Sequence, residues 1–138
     1  KWVCLRYFNP YGPRSHNPEN RFSAYQSVIG IFEYYNSMDR RLQITGDGTQ
    51  SRDFVHASDV ASANWLAFKN YKNNACYNVG SGKTCRIIDV ATKLFNESIE
   101  DIEFIPARQG EARVTHADIS KITEELGWYP QKLLLDKL

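Results

Sequence analysis

Apolar residues recur along this chain with two spacings, one typical of buried strands and the other typical of amphipathic helices. Short runs rich in apolar residues cover positions 2–8, 42–45, 76–79 and 102–105. Each run ends within two residues of a proline or glycine, which favours a turn at that point. We therefore predict four strands at these positions, and we expect residues 54–55 to be extended as well.

Between these runs the apolar residues fall three or four positions apart, which predicts helices. The segments with this spacing begin at Ala24, at Ser58, at residue 87 and at Asp118. Ser58 and Asp118 are residue types that cap helix N-termini, and Gly127 ends the last segment. The expected helices cover residues 24–38, 58–71, 87–98 and 118–127. Strands that alternate with helices indicate an α/β fold.

The overall composition excludes several classes of protein. The 138 residues carry 17 basic and 16 acidic side chains, and a net charge of +1 creates no field that would attract nucleic acid or a membrane. No apolar run approaches the roughly 20 residues of a membrane span. The cysteines and histidines show no metal-ligand spacing, and reduced thiols favour a cytoplasmic location. Because the first residues resemble a strand interior, we expect a fragment of a longer protein.

Four short motifs carry the functional information in this chain. In order they are Arg6-Tyr7-Phe8-Asn9-Pro10-Tyr11-Gly12-Pro13, Gly46-Asp47-Gly48-Thr49-Gln50-Ser51-Arg52-Asp53-Phe54, Tyr77-Asn78-Val79-Gly80-Ser81-Gly82 and Pro106-Ala107-Arg108-Gln109-Gly110-Glu111. Together they resemble the C-terminal half of the extended short-chain dehydrogenases/reductases, in the NAD-dependent nucleotide-sugar epimerase/dehydratase family. The resemblance covers nearly all of residues 1–138. Within this family the chain most resembles the UDP-sugar 4-epimerases, which act on UDP-glucose or UDP-N-acetylglucosamine.

The resemblance implies an α/β chain made of the last strands of a Rossmann sheet and a small α/β substrate-binding domain. Residues 1–138 would bind the UDP-sugar, while most of the NAD site and the catalytic Tyr and Lys would lie upstream of Lys1. The intact enzyme, expected to be a homodimer, would invert C4 of the sugar through a transient 4-keto sugar. A dehydratase or decarboxylase of the same family stays open, as does a non-catalytic sugar-nucleotide-binding or regulatory module.

The first motif follows the first predicted strand, and ligands of α/β sheets bind beyond the carboxyl ends of the strands. The resemblance places Tyr7 near the nicotinamide of NAD and Phe8 in the sugar pocket. It places the side chain of Asn9 on the diphosphate or the hexose. The alternative is a plain turn, because Asn, Pro and Gly favour turns for backbone reasons.

Arg52 and Arg108 are the residues predicted to hold the diphosphate. A guanidinium fork forms bidentate, charge-assisted hydrogen bonds with phosphate oxygens, and both arginines stand in motif loops. The resemblance assigns the ribose hydroxyls to Glu111, where relatives more often carry Asp. Two alternatives stay open, an ion pair of Arg52 with Asp53 at the surface and a solvated loop charge at Arg113.

The resemblance assigns four further residues to substrate binding. Gln43 and Thr45 lie in the strand whose backbone contacts the uracil or thymine edge, and Val28 belongs to the same substrate-binding set. Thr115 stands where relatives control the size of the sugar. A small residue there leaves room for a 2-acetamido group, so acceptance of N-acetylhexosamines is predicted. The alternative for Thr115 is a residue at a strand edge without substrate contact.

Other conspicuous residues are predicted to be structural. The Gly80-Ser81-Gly82 run is interpreted as a turn after a strand, because no GxGxxG opens a βα unit. His56 is interpreted as a packed residue at a strand-to-helix bend. The aromatic residues Phe32, Tyr34 and Tyr35 are more typical of a core than of a cofactor site.

Overall fold

A computed structural model describes residues 2–13, 15, 17, 26–70 and 74–137 of this chain. The strands are β1 (Val3–Tyr7), β2 (Pro10–Tyr11), β3 (Gln43–Thr45), β4 (Ser51–Asp53), β5 (Val55–His56), β6 (Ala75–Val79), β7 (Thr84–Arg86) and β8 (Glu103–Ile105). The helices are α1 (Val28–Ser37), α2 (Ala57–Asn70), α3 (Ile87–Asp89) with its π-helical continuation Val90–Leu94, and α4 (Ser120–Leu126), with 3₁₀ turns at Ile99–Asp101 and Leu134–Lys137. The predicted α/β fold class is therefore confirmed.

The strand pairing brings the ends of the motif-bearing strands together. Parallel pairs join β1 to β6, β2 to β5 and β3 to β8, while β4 and β7 are antiparallel. A parallel bridge from Ser51 to Val114 places the segment around residue 114 along the other edge of β4. Because β1 and β6 run in the same direction, their carboxyl ends lie side by side, with Tyr7 opposite Val79.

Two apolar clusters support these strands. The first lies between α1, β3 and α3, and its fully buried members include Phe32, Leu42 and Val90. The second lies where α2 and α4 pack against β1 and β6, around Tyr77 and Trp128. In the described ranges no helix is long and apolar enough to cross a membrane.

Four predicted helix limits are wrong. The first helix begins at Val28 rather than Ala24, because Ser27 is extended (φ −64°, ψ 127°), and Ala24 itself lies outside the described residues. The second begins at Ala57, so Ser58 does not cap it. The Ser58 N–H instead donates to Nδ1 of His56 at 3.1 Å, and the imidazole supplies the acceptor that a helix start requires.

The third helix ends at Leu94 rather than at residue 98, and Asn96 follows with a left-handed backbone at φ 56°. In the last helix, Asp118 accepts the N–H of Ser120 at 3.0 Å but precedes the N-cap residue, Ile119. Gly127 ends that helix with φ 66°, as predicted, because glycine adopts the left-handed conformation without steric cost.

Candidate functional site

A cavity of about 520 Å³ lies where the carboxyl end of β1, the first turn of α1, and strands β3 and β4 meet. Eight of the predicted site residues line it: Tyr7, Asn9, Val28, Gln43, Thr45, Arg52, Arg108 and Glu111. Phe8 and Thr115 are half-buried but do not belong to the lining of this cavity. Residues from three of the four sequence motifs therefore meet at one place, and the third motif, residues 77–82, contributes none of the lining.

The Asn9 side chain is fixed by contacts behind the cavity wall. Its backbone is left-handed at φ 38°, a conformation that Asn tolerates better than most residues. Its Nδ2 donates to the carbonyl oxygen of Asp53 at 2.6 Å and to Oγ1 of Thr115 at 3.3 Å. These bonds use the donor side of the amide, which leaves Oδ1 as an acceptor for a ligand. Thr115 therefore orients Asn9 from outside the cavity.

Arg52 is the most enclosed cation of the cavity. Its side chain is 13% exposed, and its Nη2 lies 2.8 Å from Oε1 of Glu111, whose side chain is 26% exposed. Its Nη1 donates to the carbonyl oxygen of Ser51 at 2.9 Å. The alternative ion pair with Asp53 is wrong, because the Asp53 carboxylate is fully buried and is hydrogen-bonded to residues 81, 82 and 117.

Glu111 joins the Arg52 guanidinium to strand β3. Its Oε2 accepts the hydroxyl of Thr45 at 3.2 Å, and the Thr45 carbonyl accepts Nε2 of Gln50 at 2.7 Å. Arg108 lies at the exposed mouth of the same cavity, three positions earlier in the loop. In this arrangement the Glu111 carboxylate is paired with the Arg52 guanidinium, while Arg108 lies at the opening of the cavity.

Arg113 lies outside the cavity lining. It is 74% exposed and approaches Oδ2 of Asp47 at 3.7 Å, which is typical of a solvated surface pair. Hydrogen bonds from the hydroxyl and N–H of Thr49 lower the pKa of Asp47.

His56 lies outside the cavity and is packed, as predicted. Burial lowers the pKa of His56, and its ring packs edge-on against Tyr11. Among the described residues no three acidic, His or Cys side chains converge as a metal site requires.

Strand β3 turns one set of peptide groups away from its partner. Leu42 accepts the N–H of Glu103, and Gly46 donates to the carbonyl of Ile105, both at 2.9 Å. Peptide groups alternate in direction along a strand, so those of Gln43 point to the edge opposite β8. The Gln43 side chain is held by Glu103, at 2.8 Å from Nε2. Its backbone N–H and C=O are thus directed away from β8.

Gln26 and Ser27, which directly precede the predicted site residue Val28 at the start of α1, are a part of the site that the sequence patterns did not identify. Gln26, Ser27 and Val28 line the cavity, and the N-cap residue Ser27 makes no side-chain capping bond. Its buried Oγ has no hydrogen-bond partner among the described residues. Unpaired N–H groups at a helix N-terminus attract anions. A Ser before an apolar run could have signalled this helix start, but the spacing from Ala24 onward obscured it.

Comparisons with known proteins show which family and which proteins this chain is similar to. The family model described as "NAD dependent epimerase/dehydratase family" matches residues 1–80. The ADP-L-glycero-D-manno-heptose-6-epimerase of Brachyspira hyodysenteriae is 33% identical over 126 residues, which cover 87% of this chain and 38% of that protein. The UDP-glucose 4-epimerase of Dictyostelium discoideum is 31% identical over 146 residues, which cover 93% of this chain and 42% of that protein.

Among solved structures, UDP-glucose 4-epimerase of Thermotoga maritima with UDP-glucose matches with a TM-score of 0.83 and 29% identity. The match covers 98% of this chain and 42% of that one. The chain therefore spans about two fifths of the length of these relatives.

Proposed function

Because this chain belongs to the NAD dependent epimerase/dehydratase family, we propose that it is the substrate-binding part of a UDP-sugar 4-epimerase. The observation that carries the proposal is the convergence of Arg52, Arg108 and the first turn of α1 on one cavity. When bound, NAD would supply the hydride acceptor for C4 of the sugar. Tyr7, at the β1 end of the cavity and 45% exposed, is the residue of this chain assigned to NAD contact.

The diphosphate is assigned to the two arginines and the α1 N-terminus. A sugar nucleotide carries two negative charges, and guanidinium forks form bidentate bonds with phosphate oxygens. Arg52 is partly withdrawn from water, so its bonds to an anion are screened less than those of a surface cation. The unpaired Ser27 hydroxyl and the helix N-terminus add donors to the same cavity.

The nucleoside is assigned to β3 and Glu111. Uracil presents an N–H beside a carbonyl, which complements the C=O and N–H that Gln43 turns away from β8. Glu111 lies next to Thr45 on this strand, where a carboxylate can accept ribose hydroxyls. Because one relative is named for an ADP-sugar, the choice of base needs a direct test.

The sugar is assigned to the β1 end of the cavity. Asn9 offers its Oδ1 there as an acceptor for a hexose hydroxyl, since Nδ2 is used by Asp53 and Thr115. Thr115 would then act on the sugar through Asn9. The acceptance of N-acetylhexosamines and the contact of Phe8 with the sugar stay predictions. The homodimer and the cytoplasmic location of the intact enzyme stay predictions as well.

Calorimetric titration of the protein carrying this chain tests the proposal. We expect UDP to bind at least about 30-fold more tightly than uridine, because charge-assisted hydrogen bonds to the diphosphate contribute at least ~2 kcal/mol. We also expect UDP to bind more tightly than ADP. Equal affinity for UDP and uridine would contradict the phosphate assignment, and equal affinity for UDP and ADP would contradict the β3 assignment.

The products formed from UDP-glucose separate the epimerase from its alternatives. Appearance of UDP-galactose would support 4-epimerisation. A 4-keto-6-deoxy sugar would identify a dehydratase, and tight UDP-sugar binding by the intact protein without any product would identify a binding module.

Glu111→Gln tests whether the carboxylate competes with phosphate for the fork of Arg52. We expect this variant to bind inorganic pyrophosphate about two- to fivefold more tightly, since a partly exposed ion pair contributes up to ~1 kcal/mol. UDP should gain less, because the proposed ribose contact weakens. Titration calorimetry with both ligands measures the difference, and Glu124→Gln on the exposed face of α4 is the control. Unchanged pyrophosphate affinity would show that Glu111 does not compete for the site.

A further inference from the structure

One face of α1 forms a wall of the cavity along most of the helix. The residues of α1 that line the cavity are Val28, Ile31, Phe32 and Tyr35, which recur at the spacing of a single helix face. A helix rises about 1.5 Å per residue, so this wall is about 10 Å long. Ser27 and its unpaired hydroxyl lie at one end of the wall, and Tyr35 lies at the other. The wall therefore has one end that suits an anion and one end that is aromatic.

Strand β3 lines the same cavity and has the same two ends. The Thr45 hydroxyl donates to Oε2 of Glu111, the ion-pair partner of Arg52, at 3.2 Å. Two positions earlier on the strand, Oε1 of Gln43 accepts the hydroxyl of Tyr35 at 3.3 Å. The diphosphate is assigned to Arg52 and the start of α1, so the nucleobase would lie at the other end of the cavity, between Gln43 and Tyr35.

The ring of Tyr35 is held at its face and at its hydroxyl. Asp39 is left-handed at φ 51°, and the N–H of Arg40 donates to the carbonyl of Tyr35 at 2.9 Å, as in the Schellman motif at a helix end. This turn brings the Arg40 guanidinium over the ring, 4.7 Å from its centroid. The hydroxyl is bound to Gln43, whose Nε2 in turn donates to Glu103 at 2.8 Å. The aromatic end of the cavity is therefore a fixed wall.

We propose that the ring of Tyr35 limits the nucleobase to a pyrimidine, so that the site selects UDP against purine nucleotides. This rests on the proposed function, which assigns the base to β3. A purine bound at the same strand edge extends further by a second fused ring, into the space that the Tyr35 ring occupies. Admitting it would require the ring to leave both Arg40 and Gln43. Tyr35 is thus a residue that determines specificity through size.

Titration calorimetry of the intact protein with UDP, CDP and ADP tests the proposal. We expect the wild-type protein to bind UDP more tightly than ADP. Tyr35→Ala should reduce the ratio of UDP affinity to ADP affinity by at least about tenfold, which is the range that the size of a pocket discriminates. The ratio of UDP affinity to CDP affinity should not change, because uracil and cytosine have the same size.

Three further variants separate the size of the ring from its other roles. Tyr35→Phe keeps the ring and removes the hydroxyl, and it should retain the preference for UDP. Tyr35→Leu keeps apolar packing against the first cluster, and it should show the shift in ratio with less loss of stability than the alanine variant. Tyr129→Ala is the control, because Tyr129 is an exposed tyrosine outside the cavity lining, and it should leave the ratio unchanged.

The outcomes distinguish a failure of this proposal from a failure of the proposed function. An unchanged ratio of UDP to ADP affinity in folded Tyr35→Leu would overturn this proposal alone, because the phosphate assignment is tested with UDP and uridine on the wild-type protein. A shift in Tyr35→Phe as large as that in Tyr35→Ala would also overturn it, since the hydroxyl rather than the ring would then select the base. Equal wild-type affinity for UDP and ADP would contradict both this proposal and the β3 assignment.

Discussion

Arg52→Ala is expected to weaken UDP binding roughly 30- to 1,000-fold, a loss of ~2–4 kcal/mol. The reason is that Arg52 is the most enclosed cation of the cavity, with its Nη1 anchored on Ser51 and its Nη2 directed at a carboxylate. An anion that displaces Glu111 would meet a fork that is already oriented. Titration calorimetry with UDP at two salt concentrations measures the loss, which should exceed that for any exposed arginine.

Three further variants separate the causes of that loss. Arg52→Ala also leaves Glu111 without its cation, so the double variant with Glu111→Gln should recover part of the affinity. Arg52→Lys keeps the charge without the planar fork, and we expect an intermediate loss. Arg113→Ala removes an exposed arginine outside the cavity and should change UDP affinity by less than about twofold. Arg52→Ala with wild-type UDP affinity would remove Arg52 from the phosphate site.

Sequence periodicity identified the elements that bury the most apolar surface. The strands at β1, β3, β6 and β8 and the four helical segments all exist where their apolar spacing predicts them. The errors lie at helix ends, where one backbone angle or one acceptor decides the limit. Serine is a residue type that often caps helices, but the N–H of Ser58 donates to the imidazole of His56. This contact could not be predicted from the sequence, because it depends on the backbone bend that brings the imidazole next to Ser58.

Strands β4 and β7 were not predicted because their formation is not encoded in apolar spacing. β4 consists of Ser51, Arg52 and Asp53, three polar residues that form a strand by pairing with β7 on one side and bridging to Val114 on the other. These partners are distant in sequence, so the strand exists through tertiary pairing rather than local propensity. The same pairing orients Arg52 into the cavity and Asp53 away from it.

Motif resemblance identified eight residues of the cavity wall but could not show which side chains point into the cavity. Thr115 is predicted to control the size of the sugar, and this stays a prediction; its hydroxyl accepts Nδ2 of Asn9 and its peptide N–H donates to Ser51. Ser27, at the start of α1, was missed for the converse reason, since it contributes through an unpaired hydroxyl beside the helix N–H groups. Side-chain identity alone does not specify such backbone donors.

The Gly80-Ser81-Gly82 run has a mechanical role centred on Asp53. Oδ1 of Asp53 accepts the N–H and hydroxyl of Ser81 at 2.6 and 2.7 Å, and Oδ2 accepts the N–H groups of Gly82 and Ala117 at 3.0 and 3.1 Å. A Cβ at Gly80 would lie 2.4 Å from that of Ala117, so a glycine is needed for this close approach. One carboxylate therefore ties the ends of β4 and β6 to residue 117.

Asp53→Asn should destabilise the fold by roughly 2–6 kcal/mol, because an amide can accept on only one side and would leave two donors facing its NH₂ group, at ~1–3 kcal/mol each. If the end of β4 shifts in this variant, Asn9 shifts with it, because its side chain donates to the backbone carbonyl of residue 53. Urea unfolding followed by circular dichroism gives the free energy of unfolding. Asp47→Asn is the control, since that carboxylate accepts two hydrogen bonds from Thr49 but is 59% exposed, and it should cost less than ~1 kcal/mol.

Ser81→Ala extends this comparison in case Asp53→Asn fails to fold. It removes the hydroxyl, which also accepts the N–H of Lys83 at 3.2 Å, and keeps the three backbone N–H bonds to Asp53, so we expect a loss of ~1 kcal/mol. The order of the three losses is the decisive result, because burial of the carboxylate is what separates Asp53 from Asp47. If Asp53→Asn and Asp47→Asn cost the same, then the buried carboxylate does not organise the strand ends, and the orientation of Arg52 and Asn9 must depend on strand pairing alone.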